Sequence, residues 1–293
     1  MKFTRMLSCA LLALLVVSAP SADAAVMFAS TAAGSPGELY RIDSTNGAVI
    51  QDVGPLNDAL STNYPITGLA FHPVTGVLYG STGNAGAAAT QARLVTIDPV
   101  TALVTVIGSY NAGPVNSSGD PSTMADIAFN LAGQLFGVAS IGGPNLYSIN
   151  TATGQATLVG PNGVSISTTG GGLAISPTNA FFGTPTASRF GTYDSTTGAY
   201  TNIANPAKPT GGGGYGALAF DGAVLYGLNV GPGSPPPTAL VTIDTTTGAV
   251  TTVGNSVQAL DAIAFPIPEP GAAVLFVGPA AVALLSRARR RRN

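Results

Sequence analysis

The sequence contains no tryptophan, one cysteine and one histidine among its 293 residues. Cys9 lies in an N-terminal apolar segment that we expect to be removed, so the remaining chain should have no disulfide, thiolate nucleophile or cysteine metal site. His72 lies in a His-Pro-Val-Thr-Gly run, and we interpret it as a turn residue rather than a general base. No residue pattern in the sequence points to a Ser-His-Asp site.

Positive charge is scarce in the central part of the chain. Residues 25–267 contain eleven acidic residues and four basic ones, and the basic residues are Arg41, Arg93, Arg189 and Lys208. The formal net charge of this region is therefore about −7. Binding to nucleic acid by counterion release requires clustered Lys and Arg, so we expect no nucleic-acid partner.

Helical periodicity is missing outside the two terminal apolar segments. Short runs of Val, Ile, Thr, Tyr and Phe alternate with small or polar residues, and Gly, Asn, Asp and Pro separate them. This pattern is typical of an all-β domain with many tight turns. The length of residues 25–267 suits one large domain with a substantial core.

Internal repeats predict the architecture of this domain. Each repeat contains a strand that ends in Asp or Asn, followed by a turn and a second strand. The aligned residues are Asp43, Asp98, Asn150, Asp194 and Asp244, at intervals of 55, 52, 44 and 50. Such a spacing suits four strands per unit, as in the blades of a β-propeller.

The two ends of the array predict how the ring closes. The fifth repeat stops after the apolar strand Ala262–Phe265, whereas Val26–Thr31 matches the strand that follows Leu69-Ala-Phe71 in the first repeat. The units resemble propellers of the NHL and YVTN-like kind, which implies that Leu69–Phe71 and its equivalents form the inner strands. A C-terminal inner strand would then pair with three N-terminal strands and remove exposed sheet edges. We predict five four-stranded blades within residues 25–267.

An Asp-x-x-x-Gly pattern recurs in the turns, for example at Asp43–Gly47 and Asp194–Gly198. A calcium loop would need several oxygen donors in alternation and a closing Glu, and each of these turns has one carboxylate. We therefore expect the Asp side chain to accept N–H groups of its own turn, with Gly at the positive-φ position. We predict no metal site and no cofactor.

Paired carboxylates are the remaining route to catalysis, since glycosidases use two with opposed pKa values. Asp126 and Asp261 begin two inner strands and could face the central channel. We interpret them as channel-lining polar groups and predict no catalytic residue. Gly211–Gly214 lacks a following Lys-Ser/Thr pair and a βα context, so we interpret it as a flexible loop.

Loop length suggests a working surface. Five long connections fall on the face opposite the short hairpins: Pro55–Pro65, Gly83–Ala92, Tyr110–Thr123, Asn205–Tyr215 and Gly231–Thr238. Long loops on a rigid scaffold often carry binding residues. The candidate ligand contacts, for a glycan or a protein, are Tyr64, Tyr110, Asn116, Asp120 and Tyr215. The alternative is that these loops are only tolerated surface.

The N-terminus predicts export. Lys2 and Arg5 precede the apolar run Leu7–Val17, and Ala22-Asp23-Ala24 forms a small-x-small cleavage site. This order is typical of a signal peptide. We predict that residues 1–24 are a signal peptide.

The C-terminus combines three elements over residues 268–293. Pro268-Glu269-Pro270 is followed by sixteen uncharged residues, Gly271–Ser286, and by five arginines after Ser286. As a helix the uncharged run would be roughly 24 Å long at about 1.5 Å per residue, slightly less than the ~30 Å hydrocarbon core. It could span a thinned bilayer with its arginines in the cytoplasm. The prolines predict an accessible, extended segment at the membrane surface.

This ordered tail resembles the PEP-CTERM sorting signal of Gram-negative bacteria. The resemblance implies that the chain is exported, held in the inner membrane by its C-terminal helix, and processed at Pro268, Glu269 and Pro270 by an exosortase-type transpeptidase. It implies a final location at the cell surface or in the extracellular matrix. An ordinary C-terminal membrane anchor is the alternative interpretation.

Two function classes follow. The first is a non-enzymatic interaction or structural protein of the cell envelope or matrix, with an extracellular polysaccharide or an envelope protein as its partner. The second is a secreted enzyme that acts on polysaccharide or another surface polymer from the long-loop face.

Overall fold

The computed structural model describes residues 26–32, 34–83, 88–111, 123–139, 145–161 and 171–267. The predicted signal peptide (1–24) and the predicted sorting tail (268–293) lie outside these residues. The described residues contain a 3-10 turn, Ala88–Thr90, and twenty strands. The strands are β1 (Val26–Thr31), β2 (Glu38–Asp43), β3 (Val49–Pro55), β4 (Ile66–Phe71), β5 (Leu78–Thr82), β6 (Arg93–Ile97), β7 (Val104–Ser109), β8 (Met124–Phe129), β9 (Leu135–Ala139), β10 (Asn145–Ile149), β11 (Ala156–Pro161), β12 (Gly172–Ile175), β13 (Phe181–Thr186), β14 (Arg189–Tyr193), β15 (Tyr200–Ala204), β16 (Gly214–Asp221), β17 (Val224–Val230), β18 (Thr238–Ile243), β19 (Val250–Asn255) and β20 (Leu260–Ala264).

The strands form five antiparallel sheets of four strands each, and each sheet is one propeller blade. In chain order the blades are β4–β7, β8–β11, β12–β15 and β16–β19, and the closing blade has the order β20-β1-β2-β3. The inner strands β4, β8, β12, β16 and β20 contact one another in a ring around a central channel. The predicted five-bladed, four-stranded architecture is confirmed.

The closing blade joins the two ends of the described chain. Strand β20 pairs with β1, with Ala264 opposite Phe28 and Ile263 opposite Ala29. Because β20 is antiparallel to β1, residue 26 and residue 267 leave the ring on the same side. The prediction that a C-terminal inner strand completes the N-terminal blade is confirmed.

Aromatic side chains pack in the seams between neighbouring blades. In four seams an aromatic residue on the second strand of one blade contacts an aromatic residue at the end of the next inner strand or directly after it. The pairs are Phe28–Phe71, Tyr79–Phe129, Phe182–Phe220 and Tyr226–Phe265, with ring centroids 5.5, 5.3, 5.7 and 5.0 Å apart. In the fifth seam Ile175 replaces the aromatic residue and packs in the same cluster as Phe136. Each repeat therefore buries its apolar side chains only by contact with its neighbours.

The turns after the inner strands define one end of the channel, which we call the channel-mouth face. It consists of residues 72–77, 130–134, 176–180 and 222–223, together with residues 265–267. The outer Asp/Gly hairpins, predicted on the same face, lean against the outer strand of the preceding blade. A Cβ added at Gly254 would overlap the Asn46 carbonyl, for instance, and one at Gly160 would overlap that of Thr197.

Within the described residues, no helix combines the length and the apolar composition that a membrane crossing requires. The predicted membrane helix belongs to residues 268–293, outside the described part.

Candidate functional site: an apolar pocket at the channel mouth

The outer hairpins use their Asp or Asn side chains as turn caps. Asp194 Oδ1 accepts the N–H groups of Thr196 and Thr197 at 2.8 and 2.9 Å. Asn150 Oδ1 accepts the equivalent N–H groups at 2.9 and 3.2 Å. Gly198 follows with φ +70°. The predicted structural role of the Asp-x-x-x-Gly turns is therefore confirmed.

Hydrogen bonds to these carboxylates favour the ionised form. Side-chain and backbone bonds from Thr196 and Thr197 lower the pKa of Asp194 to about 2. Similar bonds lower the pKa of Asp43, Asp98 and Asp244. In the part of the chain that the structure describes, no three His, Cys, Asp or Glu residues cluster as metal ligands.

His72 is also a turn residue. Its Nδ1 accepts the N–H groups of Val74 and Thr75, both at 3.2 Å. Its ring lies edge-on to Phe129, with centroids 4.9 Å apart. The imidazole thus stabilises the hairpin between β4 and β5 and covers the adjacent seam.

The three tyrosines predicted as ligand contacts lie in the interior. Tyr64 is buried and its hydroxyl donates to Asp58 Oδ2 at 3.0 Å. Tyr110 is fully buried, and burial raises the pKa of its phenol. Tyr215 is fully buried and its hydroxyl donates to the Ala207 carbonyl. Ligand binding by these residues stays a prediction, while their rings belong to the core.

The other predicted site residues are not described. Asn116 and Asp120 lie in the gap at residues 112–122, and Pro268, Glu269 and Pro270 follow the last described residue.

Asp126 ties three inner strands together at the centre of the ring. Its side chain is fully buried. Oδ2 accepts the N–H groups of Leu173 and Leu218 at 2.9 and 3.1 Å, and Oδ1 accepts that of Ile127 at 2.9 Å. These donors belong to β12, β16 and β8. The carboxyl group therefore pairs N–H groups that the inner sheet edges would otherwise leave without partners.

Burial raises the pKa of Asp126 well above its usual range, since desolvation disfavours the charged form. The three N–H donors counteract part of this increase, and the nearby charge of Asp261 adds to it. Asp261 packs against Gly216, where an added Cβ would overlap its Oδ1 atom. The two carboxyl groups thus lie in one part of the channel, as their positions in the repeats suggested.

A cavity of about 480 Å³ opens at the channel mouth. Its floor includes Leu69, Ile127 and Leu218, and the last two donate their N–H groups to Asp126. The floor therefore lies next to the buried carboxyl group, which joins the strands below it. The result is a pocket with its opening among the inner hairpins.

The pocket wall is apolar and repeats from blade to blade. One layer consists of the alanines that precede the seam residues, and the next layer consists of the seam residues themselves. The wall residues are Ala70, Ala128, Ala174, Ala219 and Ala264, and then Phe71, Phe129, Ile175, Phe220 and Phe265. An apolar wall of this kind suits an apolar or amphiphilic ligand.

Polar side chains at the pocket rim are largely engaged in turns. Asn130 exchanges hydrogen bonds with Gln134, at 2.8 and 2.9 Å. Ser176 Oγ accepts the N–H groups of Thr178 and Ala180 at 3.3 and 3.0 Å. Asp221 adds a carboxylate to the rim.

The inner-strand repeat in the sequence contained the signal for this pocket. The Leu-Ala-Phe runs predicted inner strands, whereas loop length favoured the long-loop face as the binding surface. A repeated run of three residues does not show that five equivalent side chains surround one cavity, because their arrangement around a cavity depends on ring closure.

The closed ring and its central pocket define a five-bladed β-propeller protein. The chain belongs to the family described as "Repeat of unknown function (DUF6923)", whose model matches residues 27–228. No curated protein matches the chain.

Solved structures resemble the chain at low identity. One is a structural genomics protein of unknown function from Bacteroides thetaiotaomicron, at 13% identity and a TM-score of 0.44, with 76% of this chain and 57% of that chain covered. A puromycin hydrolase S511A mutant complexed with PGG has 14% identity and a TM-score of 0.41, with 79% and 36% covered. Another puromycin hydrolase structure has 14% identity and a TM-score of 0.37, with 74% and 42% covered. The chain thus spans about a third to three fifths of these proteins, and the likeness carries no argument about its function.

Proposed function

We propose that this protein is an exported, non-enzymatic binding protein of the cell envelope or extracellular matrix, with the channel-mouth pocket as its ligand site. The observation that carries the proposal is the apolar wall that all five blades contribute. A concave apolar site with few polar groups is typical of ligand binding. The buried carboxyl group of Asp126 already accepts three N–H groups, which supports a structural role for it.

The localisation in this proposal rests on the two chain ends. The N-terminal segment has the order of a signal peptide, and the tail resembles the PEP-CTERM signal. In the proposed sequence of events the tail anchors the protein in the inner membrane of a Gram-negative bacterium, and an exosortase-type transpeptidase then releases it. Unchanged processing in a strain without that transpeptidase would contradict this part.

One observation favours an enzyme as the competing function. The raised pKa of Asp126 beside a second carboxyl group, Asp261, is a property that catalytic sites share. An enzyme acting on a surface polysaccharide would need these groups to reach its substrate, whereas the Asp126 side chain is fully buried.

Pocket binding can be tested with residues 25–267, which include all five complete blades. The neutral apolar dye N-phenyl-1-naphthylamine serves as the probe, because its fluorescence rises in apolar sites. Ala219→Phe places a ring in the pocket and should weaken dye binding by at least about tenfold. Ala207→Phe, at an exposed position outside the pocket lining, is the matched control and should leave binding unchanged. Equal dye binding by both variants would argue against the pocket.

The enzymatic alternative is tested with the same region and a panel of bacterial polysaccharides. We expect no hydrolysis. Turnover that Asp126→Asn or Asp261→Asn abolishes, in a variant with an unchanged circular dichroism spectrum, would replace the binding proposal with the enzymatic one.

A further inference from the structure

Exposed aliphatic side chains surround the opening of the pocket. Val74 and Leu131, at the tips of two inner hairpins, are 80% and 56% exposed. Val77, Val224 and Ile267 lie on or beside the same face and are also exposed. On the opposite, long-loop side, Leu60 is the only large hydrophobic side chain among the described residues that is similarly exposed, and the outer strands and hairpins at the perimeter of the ring expose Val49, Ile50, Val100, Leu103, Val106 and Leu158. Grouped apolar exposure of this kind marks a surface that contacts a protein or a membrane.

We propose that the channel-mouth face rests on a lipid bilayer, with Val74 and Leu131 in contact with the boundary between headgroups and acyl chains. The inference rests on the proposed membrane anchoring and deepens it, because it names the face that meets the membrane and the partner that the apolar tips contact. The pocket would then open toward the lipid.

The position of the anchor decides which face can reach the bilayer. The described chain ends at Ile267, which is itself part of the pocket lining. Three residues, 268–270, lead into the uncharged run and can extend at most about 11 Å, at up to 3.6 Å per residue. Strands of six residues are about 20 Å long, so the far side of the ring cannot approach the bilayer through this tether.

Charge indicates the kind of lipid. The described residues of the channel-mouth face contain no Lys or Arg, and Asp221 carries a carboxylate at the rim. Arg93, Arg189 and Lys208 lie at or before the opposite ends of their strands. The fourth basic residue, Arg41, lies within β2, and its guanidinium donates to Gln51 Oε1 at 3.1 Å. Attraction of basic residues to anionic headgroups therefore cannot hold this face, and apolar contact with neutral, zwitterionic lipid is the remaining interaction.

The absence of tryptophan allows a direct test with the full chain. Val74→Trp, Leu131→Trp and Leu60→Trp each introduce a single indole, and Leu60, 87% exposed on the other side, is the matched control. The variants are reconstituted into phosphatidylcholine vesicles with brominated acyl chains, which quench indole fluorescence at short range. We expect at least about twofold stronger quenching at positions 74 and 131 than at position 60.

Vesicle flotation separates the outcomes. If the protein floats and only positions 74 and 131 are quenched, the inference is supported. If it floats but all three positions are quenched equally or not at all, the inference is wrong while the anchoring stands. Blue-shifted emission at position 131 without quenching would assign the face to a protein partner, such as a second copy, and would also overturn the inference. If the protein does not float, the anchoring fails and the inference fails with it.

Discussion

The outer hairpins show how one backbone requirement is met by different residues. Asp194 and Asn150 accept the same pair of turn N–H groups, so the requirement is for an oxygen acceptor and not for a charge. Gly198 takes a positive φ after Asp194, and Ala102 takes φ +58° at the equivalent position after Asp98. A non-glycine residue in this conformation is strained, which the surrounding packing must offset.

The difference between Asp and Asn in these turns predicts how the stability of the fold depends on pH. Hydrogen bonds lower the pKa of Asp194 from 3.8 to about 2. A lowered pKa in the folded state contributes stability that is present above pH 3.8 and lost as the pH falls through about 2. Asp194→Asn should therefore lose less stability than the wild type between pH 4 and pH 2, measured as the urea midpoint of unfolding.

The reverse exchange is the control for this prediction. Asn150→Asp places a carboxylate in an equivalent turn, so its urea midpoint should fall more steeply over the same pH interval. Identical pH profiles for the wild type and both variants would show that these bonds do not depend on ionisation.

Asp126 shows what a single residue in the sequence could and could not indicate. Its position at the start of an inner strand predicted a place in the channel. Its three hydrogen bonds join residues that are up to 92 positions apart in the chain, and no local pattern identifies such partners.

Among the structural elements, the outer strands have a feature that the repeats did not predict. Gly108, Gly160 and Gly254 each lie against the outer hairpin of the next blade, where an added Cβ would overlap the carbonyl of Thr153, Thr197 or Asn46. These glycines are needed for close approach between blades, not for a turn. From the sequence alone they resemble ordinary strand-end glycines, because the opposing carbonyl belongs to another repeat.

This contact predicts the effect of a methyl group. Gly254→Ala should lower the free energy of unfolding by about 1–3 kcal/mol, since rigid backbone opposes the new Cβ. Urea unfolding followed by circular dichroism measures the change.

Gly212→Ala, in the loop between β15 and β16, is the control for adding a methyl group at a glycine. Its added Cβ would meet only the Pro232 ring, with Cδ at 3.4 Å and Cγ at 3.6 Å, so the loss of unfolding free energy should be below about 0.5 kcal/mol. A Gly254→Ala variant as stable as Gly212→Ala would mean that the blades can separate at this seam without a loss in the free energy of unfolding.

At the scale of the whole molecule, stability depends on the closing blade. Strand β20 supplies the inner strand to three N-terminal strands and packs in the same hydrophobic cluster as residues of β1, β2 and the preceding blade, such as Met27, Ile42 and Leu240. Without it, the ring would expose the inner edge of β1 and part of this cluster.

Truncation tests the closure. A chain that ends at Ala259 lacks β20 and should unfold at a lower urea concentration and aggregate through its open sheet edge. A chain that ends at Ile267 keeps β20 and should unfold at the same urea concentration as the chain of 293 residues. Light scattering and urea midpoints compare the two, and equal behaviour would contradict closure by β20.

The sequence by itself determined the number of blades, the order of strands within them and the turn chemistry, because these follow from short patterns that repeat every 44 to 55 residues. It also determined that the closing blade combines the strands of both ends of the array. The fifth repeat stops after its inner strand, and Val26–Thr31 matches the second strand of a repeat. Only the tertiary structure decided where the candidate site lies. Ring closure brings Phe71, Phe129 and Phe220 from separate blades around one pocket and buries Tyr64, Tyr110 and Tyr215. Burial and enclosure depend on contacts between distant repeats, and a local pattern does not record them.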